Sequence, residues 1–260
     1  MKDGKRGVVL SGGGTKGAYE IGVWKAMDEL GIDYDIVTGT SIGSINGAMM
    51  AMRAFDEAKN VWENMVMEDF MGEPKSKGES VIEFFRSFVS GVVRPGSRLR
   101  EGSVNNSPFR EFVAKNVDEE RIRASDVNYG LVTVRARDRK AFSLSTKEIP
   151  EGLLKDYVIA SSSVYPVFPM HRIGEDYYID GMYHDNLPID LAVSMGATEL
   201  IVVDLHQSPQ HPKYAGAANV VYLTPSEDLG GILAFDRQLI NKNIQMGYED
   251  AMRKFSLLSD

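Results

Sequence analysis

The sequence predicts an α/β fold of three layers, α/β/α, with a mainly parallel central sheet. Two strand–turn–helix units follow each other at the start of the chain, and the apolar run ELIVVDL at 199–205 is typical of a strand buried on both faces. Parallel strands joined by helices need right-handed crossovers, which lay the helices against the sheet. The length of 260 residues suits a single domain spanning 1–260.

The two N-terminal units can be followed residue by residue. The first has an apolar run at 7–11, a glycine-rich loop at 12–17 and a helix with apolar residues at helical spacing, which Gly31 closes. The second has a strand over 34–38, a sharp turn and a helix predicted over 42–55, rich in small residues and methionine. Two strand–turn–helix units in succession therefore favour a parallel sheet with right-handed crossovers.

Residues from about 56 to 126 differ in character, and we expect them to form a helical cap. Helical stretches at 58–67 and 80–93 alternate with polar breaks. The stretch at 80–93 carries three phenylalanines in a full apolar stripe. It suits either a helix packed on the core or a mobile cap that contacts a lipid chain.

The chain then returns to α/β character. Strands are predicted at 127–134, 141–145, 177–179, 199–205 and 220–223, and helices at 153–161, 188–195 and 235–255. The first two strands flank a charged turn and are typical of a hairpin. The strand at 177–179 ends in Asp180 and Gly181.

Composition limits the classes of function. With 29 basic and 37 acidic residues, the formal net charge of −8 argues against nucleic-acid binding. The absence of cysteine excludes disulfides, and with four histidines and no calcium-loop motif we expect no metal or other cofactor. No secretory signal or membrane-spanning run is visible, so we expect a cytoplasmic protein.

A G-x-S-x-G motif is formed by Gly39, Ser41 and Gly43, between a strand and a helix. This pattern is typical of a nucleophile elbow, in which the serine sits at positive φ with its hydroxyl exposed. The two glycines let the strand and the helix approach each other. The N–H of Ile42, at the start of the helix, can donate to an oxyanion.

The glycine loop and an acidic residue complete the candidate site. Consecutive amides of Gly12, Gly13 and Gly14 can point into one concavity and bind an anion. In acyl transfer, that anion is the tetrahedral oxyanion. Asp180 lies at the end of a predicted strand and is followed by a glycine, and it is the third feature of the candidate site.

A family resemblance rests on motifs in a fixed order, which are GGGTKG at 12–17, GTSIG at 39–43, ASSSVYPVFP at 160–169, DGM at 180–182, NLP at 186–188 and GILAFD at 231–236. Together they resemble the patatin-like phospholipases. The resemblance runs from about residue 7 to 240 and is weakest between 60 and 125. It implies a patatin-like fold and a carboxylic ester hydrolase acting on phospholipids or lysophospholipids.

The resemblance also implies residue roles. Ser41 becomes the nucleophile and Asp180 its base, a dyad without histidine, and Gly12 to Gly14 hold the oxyanion. Gly17, Gly39, Gly43 and Gly181 match the motif glycines. Lys16 matches a basic residue of the loop that would lie near a substrate phosphate or, as a single lysine often does, in solvent. Met182 departs from the usual glycine or alanine, which puts substrate preference in question.

Two alternatives stay open at this stage. GGGTKG is also a G-x-G-x-x-G, so the chain could bind a dinucleotide with Asp33 or Asp35 on the ribose. An α/β-hydrolase triad could instead use His184 or His206 as base. Any membrane contact would come from the stretch at 80–93, and the oligomeric state, head group and acyl chain are not determined by the sequence.

Overall fold

The computed structural model describes residues 4–71, 105–206 and 219–258. Within them, eight strands form one mixed sheet in the order β5-β6-β3-β2-β1-β7-β8, with β4 paired to β3. The strands are β1 (Lys5–Leu10), β2 (Ile36–Thr40), β3 (Asn128–Arg135), β4 (Lys140–Ser145), β5 (His171–Ile173), β6 (Asp176–Asp180), β7 (Ala197–Val203) and β8 (Asn219–Leu223). Strands β3, β2, β1, β7 and β8 are parallel to one another, while β4, β5 and β6 pair antiparallel.

Helices lie on both faces of the sheet. They are α1 (Ala18–Glu29), α2 (Ile42–Ala51), α3 (Phe55–Asn64), α4 (Ser107–Asn116), α5 (Glu119–Ala124), α6 (Leu154–Ser161), α7 (Ile189–Ser194) and α8 (Arg237–Ser256). The larger core lies under α1, α2, α3, α4, α5, α6 and α8, whereas a smaller core on the other face packs α7 against β1, β2 and β7. The predicted three-layer α/β fold is therefore confirmed. None of the described helices has both the length and the hydropathy to cross a membrane.

Several predicted boundaries differ from those observed. The helix expected over 42–55 is shorter, because α2 ends at Ala51 and Arg53 adopts φ 56° before α3 begins at Phe55. The Arg53 guanidinium is fixed there by a 2.7 Å ion pair with Asp33 and lies over the Tyr34 ring. The strand expected over 34–38 occupies Ile36–Thr40 instead.

Other elements escaped the sequence-based prediction or lie beyond the described residues. Strand β5 is only three residues long, too short for an alternating pattern to identify it. The described parts of the expected cap are helical, since α3, α4 and α5 fall in them. The stretch at 80–93 and its neighbouring polar breaks lie outside the described residues, so the cap as a whole stays a prediction.

Candidate active site

The register of β3 brings the serine turn and Asp180 together. Strand β2 pairs with β3 as far as Thr40, which lies opposite Val132. Strand β6 pairs antiparallel with the next part of β3, so that Asp180 lies opposite Thr133. Because β4 occupies the other edge of β3, β2 and β6 lie end to end on the same edge. Ser41, the residue after Thr40, therefore meets Asp180 at the junction of two strands.

Ser41 has the backbone geometry expected of an elbow. It has φ 56° and ψ −126° and is only 8% exposed. A β-carbon on Gly39 would lie 2.1 Å from the carbonyl oxygen of Gly43, and one on Gly43 would lie 2.6 Å from that of Leu10. A non-glycine residue at such a φ costs on the order of 1–3 kcal/mol, so the packed strand and helix hold the serine in a strained position.

The Asp180 carboxyl is completely buried. Its Oδ1 accepts a hydrogen bond of 2.8 Å from the amide of Met182, while Oδ2 accepts none of good geometry from the described residues. Burial raises the pKa of Asp180 from 3.8 to about 7, and the hydrogen bond from the Met182 amide and the proximity of the Ser41 hydroxyl oppose that rise. Asp180 is therefore a buried carboxyl next to Ser41 whose pKa is raised toward neutral pH.

The four expected oxyanion donors differ in whether their amide is already hydrogen-bonded. The amide of Gly12 donates to the carbonyl of Asn186 at 3.2 Å, so it is engaged and not available to an oxyanion. The amides of Gly13 and Gly14 have no partner among the described residues, and neither does that of Ile42, the first residue of α2. Gly13, Gly14 and Ile42 all line the cavity that contains Ser41. The structure therefore leaves three candidate donors where the sequence suggested four.

The rest of the glycine loop is a short 3₁₀ turn, Gly14–Gly17. Gly17 ends that turn against Ile42, since a β-carbon there would lie 2.8 Å from Ile42 Cγ1. Lys16 is partly buried and is not among the described residues that line the cavity. Its contact with a substrate phosphate stays a prediction. Gly181, the residue after Asp180, packs closely against the backbone of Val132. A β-carbon on Gly181 would lie 2.3 Å from the carbonyl oxygen of Val132.

The cavity above Ser41 is small, about 100 Å³, and mostly apolar. Its apolar lining comprises Ile42, Ile45, Trp62, Met65, Phe70, Met71, Phe109, Val164, Val167, Phe168, Met182, Ile232, Leu233 and Phe235. Phe70 is at the centre of an aromatic cluster, with ring centroids 5.7 Å from Phe109, 4.6 Å from Phe112 and 5.6 Å from Phe235. Such a surface suits a hydrocarbon group.

Thr15 connects the glycine loop to residues 231–234, a contact that the sequence did not predict. Its hydroxyl donates to the carbonyl of Gly231 at 2.9 Å and accepts the amide of Ala234 at 3.1 Å. Its own amide donates to the carbonyl of Ile232 at 2.9 Å. The motif GILAFD at 231–236 was the available signal, and the structure shows that it forms part of the cavity wall.

No described histidine hydrogen-bonds to Ser41 or Asp180. His206 does line the cavity, and its Nε2 lies 2.7 Å from the carbonyl oxygen of Gly12. Because a carbonyl oxygen can only accept, Nε2 must carry the proton of that bond. The Nε2 lone pair required of a base is therefore not available in this arrangement.

The other histidines are less favourable as bases. His171 is buried, and its Nε2 lies 2.8 Å from Oδ1 of Asp156 in α6. His184 is exposed and does not line the cavity among the described residues. His211 lies outside the described residues. The triad alternative thus has no support from hydrogen bonding in the described part of the chain.

The dinucleotide alternative fails on position. Asp33 pairs with Arg53, and Asp35 accepts the amide of Arg6 at 2.8 Å. Both aspartates precede β2, whereas the glycine loop at 12–17 follows the other end of the parallel strand β1. A ribose bound next to the loop would need an acidic residue after the carboxyl end of β2, whereas Asp33 and Asp35 lie before its amino end.

Comparison with known families agrees with the geometry. A family model described as "Patatin-like phospholipase" matches residues 8–193. Patatin-like phospholipase domain-containing protein 6 of Homo sapiens is 30% identical over 201 residues, which cover 76% of this chain and 13% of that protein. Lysophospholipase NTE1 of Coccidioides immitis is 30% identical over 200 residues, covering 76% of this chain and 11% of that protein. The chain therefore spans little more than a tenth of the length of these relatives.

Solved structures agree on the fold. VipD from Legionella pneumophila superposes with a TM-score of 0.61 at 13% identity, covering 97% of this chain and 67% of that one. The type III effector protein ExoU superposes with a TM-score of 0.50 at 15% identity, covering 98% of this chain and 53% of that one. At these identities the likeness concerns the fold.

Proposed function

This chain belongs to the patatin-like phospholipase family, and from that premise we propose that it is a lipid acyl hydrolase that cleaves carboxylic esters through an acyl-enzyme on Ser41. One observation carries the proposal. A serine on a strained elbow lines an apolar cavity and lies next to the buried carboxyl of Asp180, whose pKa is raised by burial to about 7. Nucleophile, base and hydrocarbon site are thus next to each other.

The first half of the reaction transfers the acyl group to the enzyme. Ser41 Oγ attacks the ester carbonyl carbon, and its proton passes to the Asp180 carboxylate. The charge on the former carbonyl oxygen is held by the amides of Gly13, Gly14 and Ile42. When the tetrahedral intermediate collapses, the bond to the alcohol breaks and the alcohol takes the proton from Asp180. The acyl group remains as an ester on Ser41.

The second half releases the acid. Water gives a proton to Asp180 as its oxygen attacks the acyl-enzyme, and the same amides hold the second oxyanion. Collapse breaks the bond to Ser41 Oγ, which recovers the proton from Asp180, and the fatty acid leaves. The raised pKa of Asp180 supports both directions of proton transfer, because a group that titrates near the working pH can accept and return a proton.

The substrate class follows from the cavity and the relatives. An apolar lining favours an acyl chain over a polar group, and one relative carries the name lysophospholipase. We therefore propose phospholipids or lysophospholipids as substrates, with transient contact to a membrane surface. A cytoplasmic location remains a prediction from the sequence.

A direct assay tests the proposal. The protein would be incubated with phosphatidylcholine, lysophosphatidylcholine and p-nitrophenyl butyrate, and released acid or p-nitrophenol would be measured. We expect hydrolysis that Ser41→Ala removes, while Ser194→Ala on α7 retains it. Hydrolysis that survives Ser41→Ala, or none with any of these esters, would contradict the proposal.

A further inference from the structure

We propose that His206 and Asn186 are positioning residues that orient the Gly13 amide toward the oxyanion. The inference rests on the proposed function, since an oxyanion hole needs an acyl-transfer reaction. It assigns a role to a histidine in the cavity that the proposed dyad does not use. Both residues act through one atom, the carbonyl oxygen of Gly12.

Two side chains from different segments of the chain donate hydrogen bonds to that carbonyl oxygen. Nε2 of His206 donates to the Gly12 oxygen at 2.7 Å, and Nδ2 of Asn186 donates to it at 3.2 Å. The Gly12 amide in turn donates to the backbone carbonyl of Asn186 at 3.2 Å. Gly12 also lies against the nucleophile, since a β-carbon there would be 3.0 Å from Cβ of Ser41.

Peptide planarity links this carbonyl to the oxyanion hole. In a trans peptide, the C=O of one residue and the N–H of the next point in opposite directions in one plane. The peptide between Gly12 and Gly13 is trans, because Tyr165–Pro166 is the cis bond among the described residues. Fixing the Gly12 oxygen on His206 and Asn186 therefore directs the Gly13 N–H away from them. That N–H has no partner in the described structure, and Gly13 lines the cavity.

This peptide needs external restraint more than most. Glycine occupies both sides of it, and glycine accepts a wide range of backbone angles, so local preference alone holds the plane weakly. Two donors on one carbonyl also polarise the peptide, which strengthens the N–H on its other side. His206 and Asn186 are thus suited to both aim and strengthen the Gly13 donor.

The positioning role differs from that of a general base in what it requires. A base needs the imidazole lone pair, whereas the bond to Gly12 needs only an N–H at the place of Nε2. A glutamine side chain carries such an N–H on an amide that is not basic. His206→Gln therefore retains the positioning bond and removes the base.

The test compares kcat and KM of His206→Ala and His206→Gln with p-nitrophenyl butyrate. We expect His206→Ala to lower kcat by about 10- to 100-fold with KM changed less than about twofold, a smaller loss than removing an oxyanion donor outright. His206→Gln should recover activity to within about fivefold of the parent protein. His184→Ala, an exposed histidine that does not line the cavity, is the matched control and should retain activity. Affinity for a trifluoromethyl ketone, which forms a tetrahedral adduct, should fall in His206→Ala by the same factor as kcat/KM.

A structural readout separates this inference from the proposed function. In a crystal structure of His206→Ala we expect the peptide between Gly12 and Gly13 to rotate or to take two orientations, and in His206→Gln to keep one. An unmoved peptide in His206→Ala, or glutamine as inactive as alanine, would overturn the positioning role, the second result in favour of an imidazole base. If the parent protein hydrolyses no ester, the proposed function fails, while the orientation of the peptide still decides whether His206 positions it.

Discussion

The amide of Ser41 donates a hydrogen bond of 3.1 Å to the hydroxyl of Ser161, 120 residues further along the chain. Two residues later, the carbonyl of Ser163 accepts the amide of Asp180 at 2.9 Å. The end of α6 and the residues after it therefore hold both members of the proposed dyad. The register on β3 brings the two strand ends together, and this segment fixes the two residues relative to each other.

The first prediction concerns the pH dependence of activity. Asp180 must be ionised to accept the serine proton, and burial raises its pKa to about 7. We therefore expect kcat/KM to fall about tenfold for each pH unit below about 7 and to level off above it. A pH profile with a p-nitrophenyl ester measures this. A midpoint near 4 would show that the carboxyl is not desolvated as the structure indicates.

The second prediction concerns stability. The folded-state pKa of Asp180 is raised, so its contribution to stability is present below pH 3.8 and is lost as pH rises through about 7. Asp180→Asn stays neutral, so at pH 8 we expect its free energy of unfolding to exceed that of the parent protein by up to about 4 kcal/mol. The difference should shrink to about 1.6 kcal/mol at pH 5, because the unfolded carboxyl is ionised there while the folded one is still protonated. Thermal unfolding at both pH values measures the difference.

A control for that prediction is Asp176→Asn. Asp176 forms ion pairs with Arg135 at 3.3 Å and with Arg137 at 3.1 Å. Because its charge is paired, Asp176→Asn should not stabilise the protein at pH 8. Equal melting temperatures for Asp180→Asn and the parent protein at pH 8 would mean that the buried carboxylate carries no penalty there.

The third prediction concerns Gly14 in the glycine loop. It has φ 59°, and a β-carbon would lie 2.1 Å from the carbonyl oxygen of Ile232. We expect Gly14→Ala to lose more than about 100-fold in kcat and more than about 1–2 kcal/mol of unfolding free energy, since the clash adds to the backbone strain. Gly174→Ala shares the positive φ, 63°, but its β-carbon would meet no atom of the described residues within 4 Å, so this variant should retain activity. Similar activities of the two variants would contradict this account of the loop.

The fourth prediction concerns Met182. Its amide holds Asp180, while its side chain is 43% exposed and lines the cavity. Met182→Ala retains the amide and widens the cavity, so we expect activity on p-nitrophenyl butyrate to change little. Bulkier acyl esters should gain about 3- to 10-fold in kcat/KM relative to the butyrate. An unchanged ratio across acyl groups would mean that Met182 does not contribute to substrate preference.

The parts of the site that the sequence predicted are local. The elbow at Ser41 follows from two glycines within two residues of it, and the turn they permit is set by backbone sterics alone. The order of strands and helices follows in the same way from apolar runs and their breaks. Helix α2 was predicted too long because Arg53 interrupts it through contacts with Asp33 and Tyr34, which lie on another segment.

The parts that the sequence did not predict depend on distant contacts. Gly12 was expected to donate to an oxyanion, but its amide donates instead to the backbone carbonyl of Asn186, 174 residues away. The bond from His206 to the same residue spans 194 positions. No local pattern specifies such pairings, since they depend on the order of strands in the sheet. Motif NLP at 186–188 marked the segment without indicating the contact.

Covalent labelling tests the central claim most directly. A fluorophosphonate phosphonylates a serine only where a base and an oxyanion hole activate it. Incubation of the intact protein, followed by peptide mass spectrometry, should find one adduct, on Ser41. Ser41→Ala should give none, and Asp180→Asn should react at least about 100-fold more slowly. Labelling of Ser41→Ala at the rate of the parent protein, or an adduct on a different residue, would contradict the account.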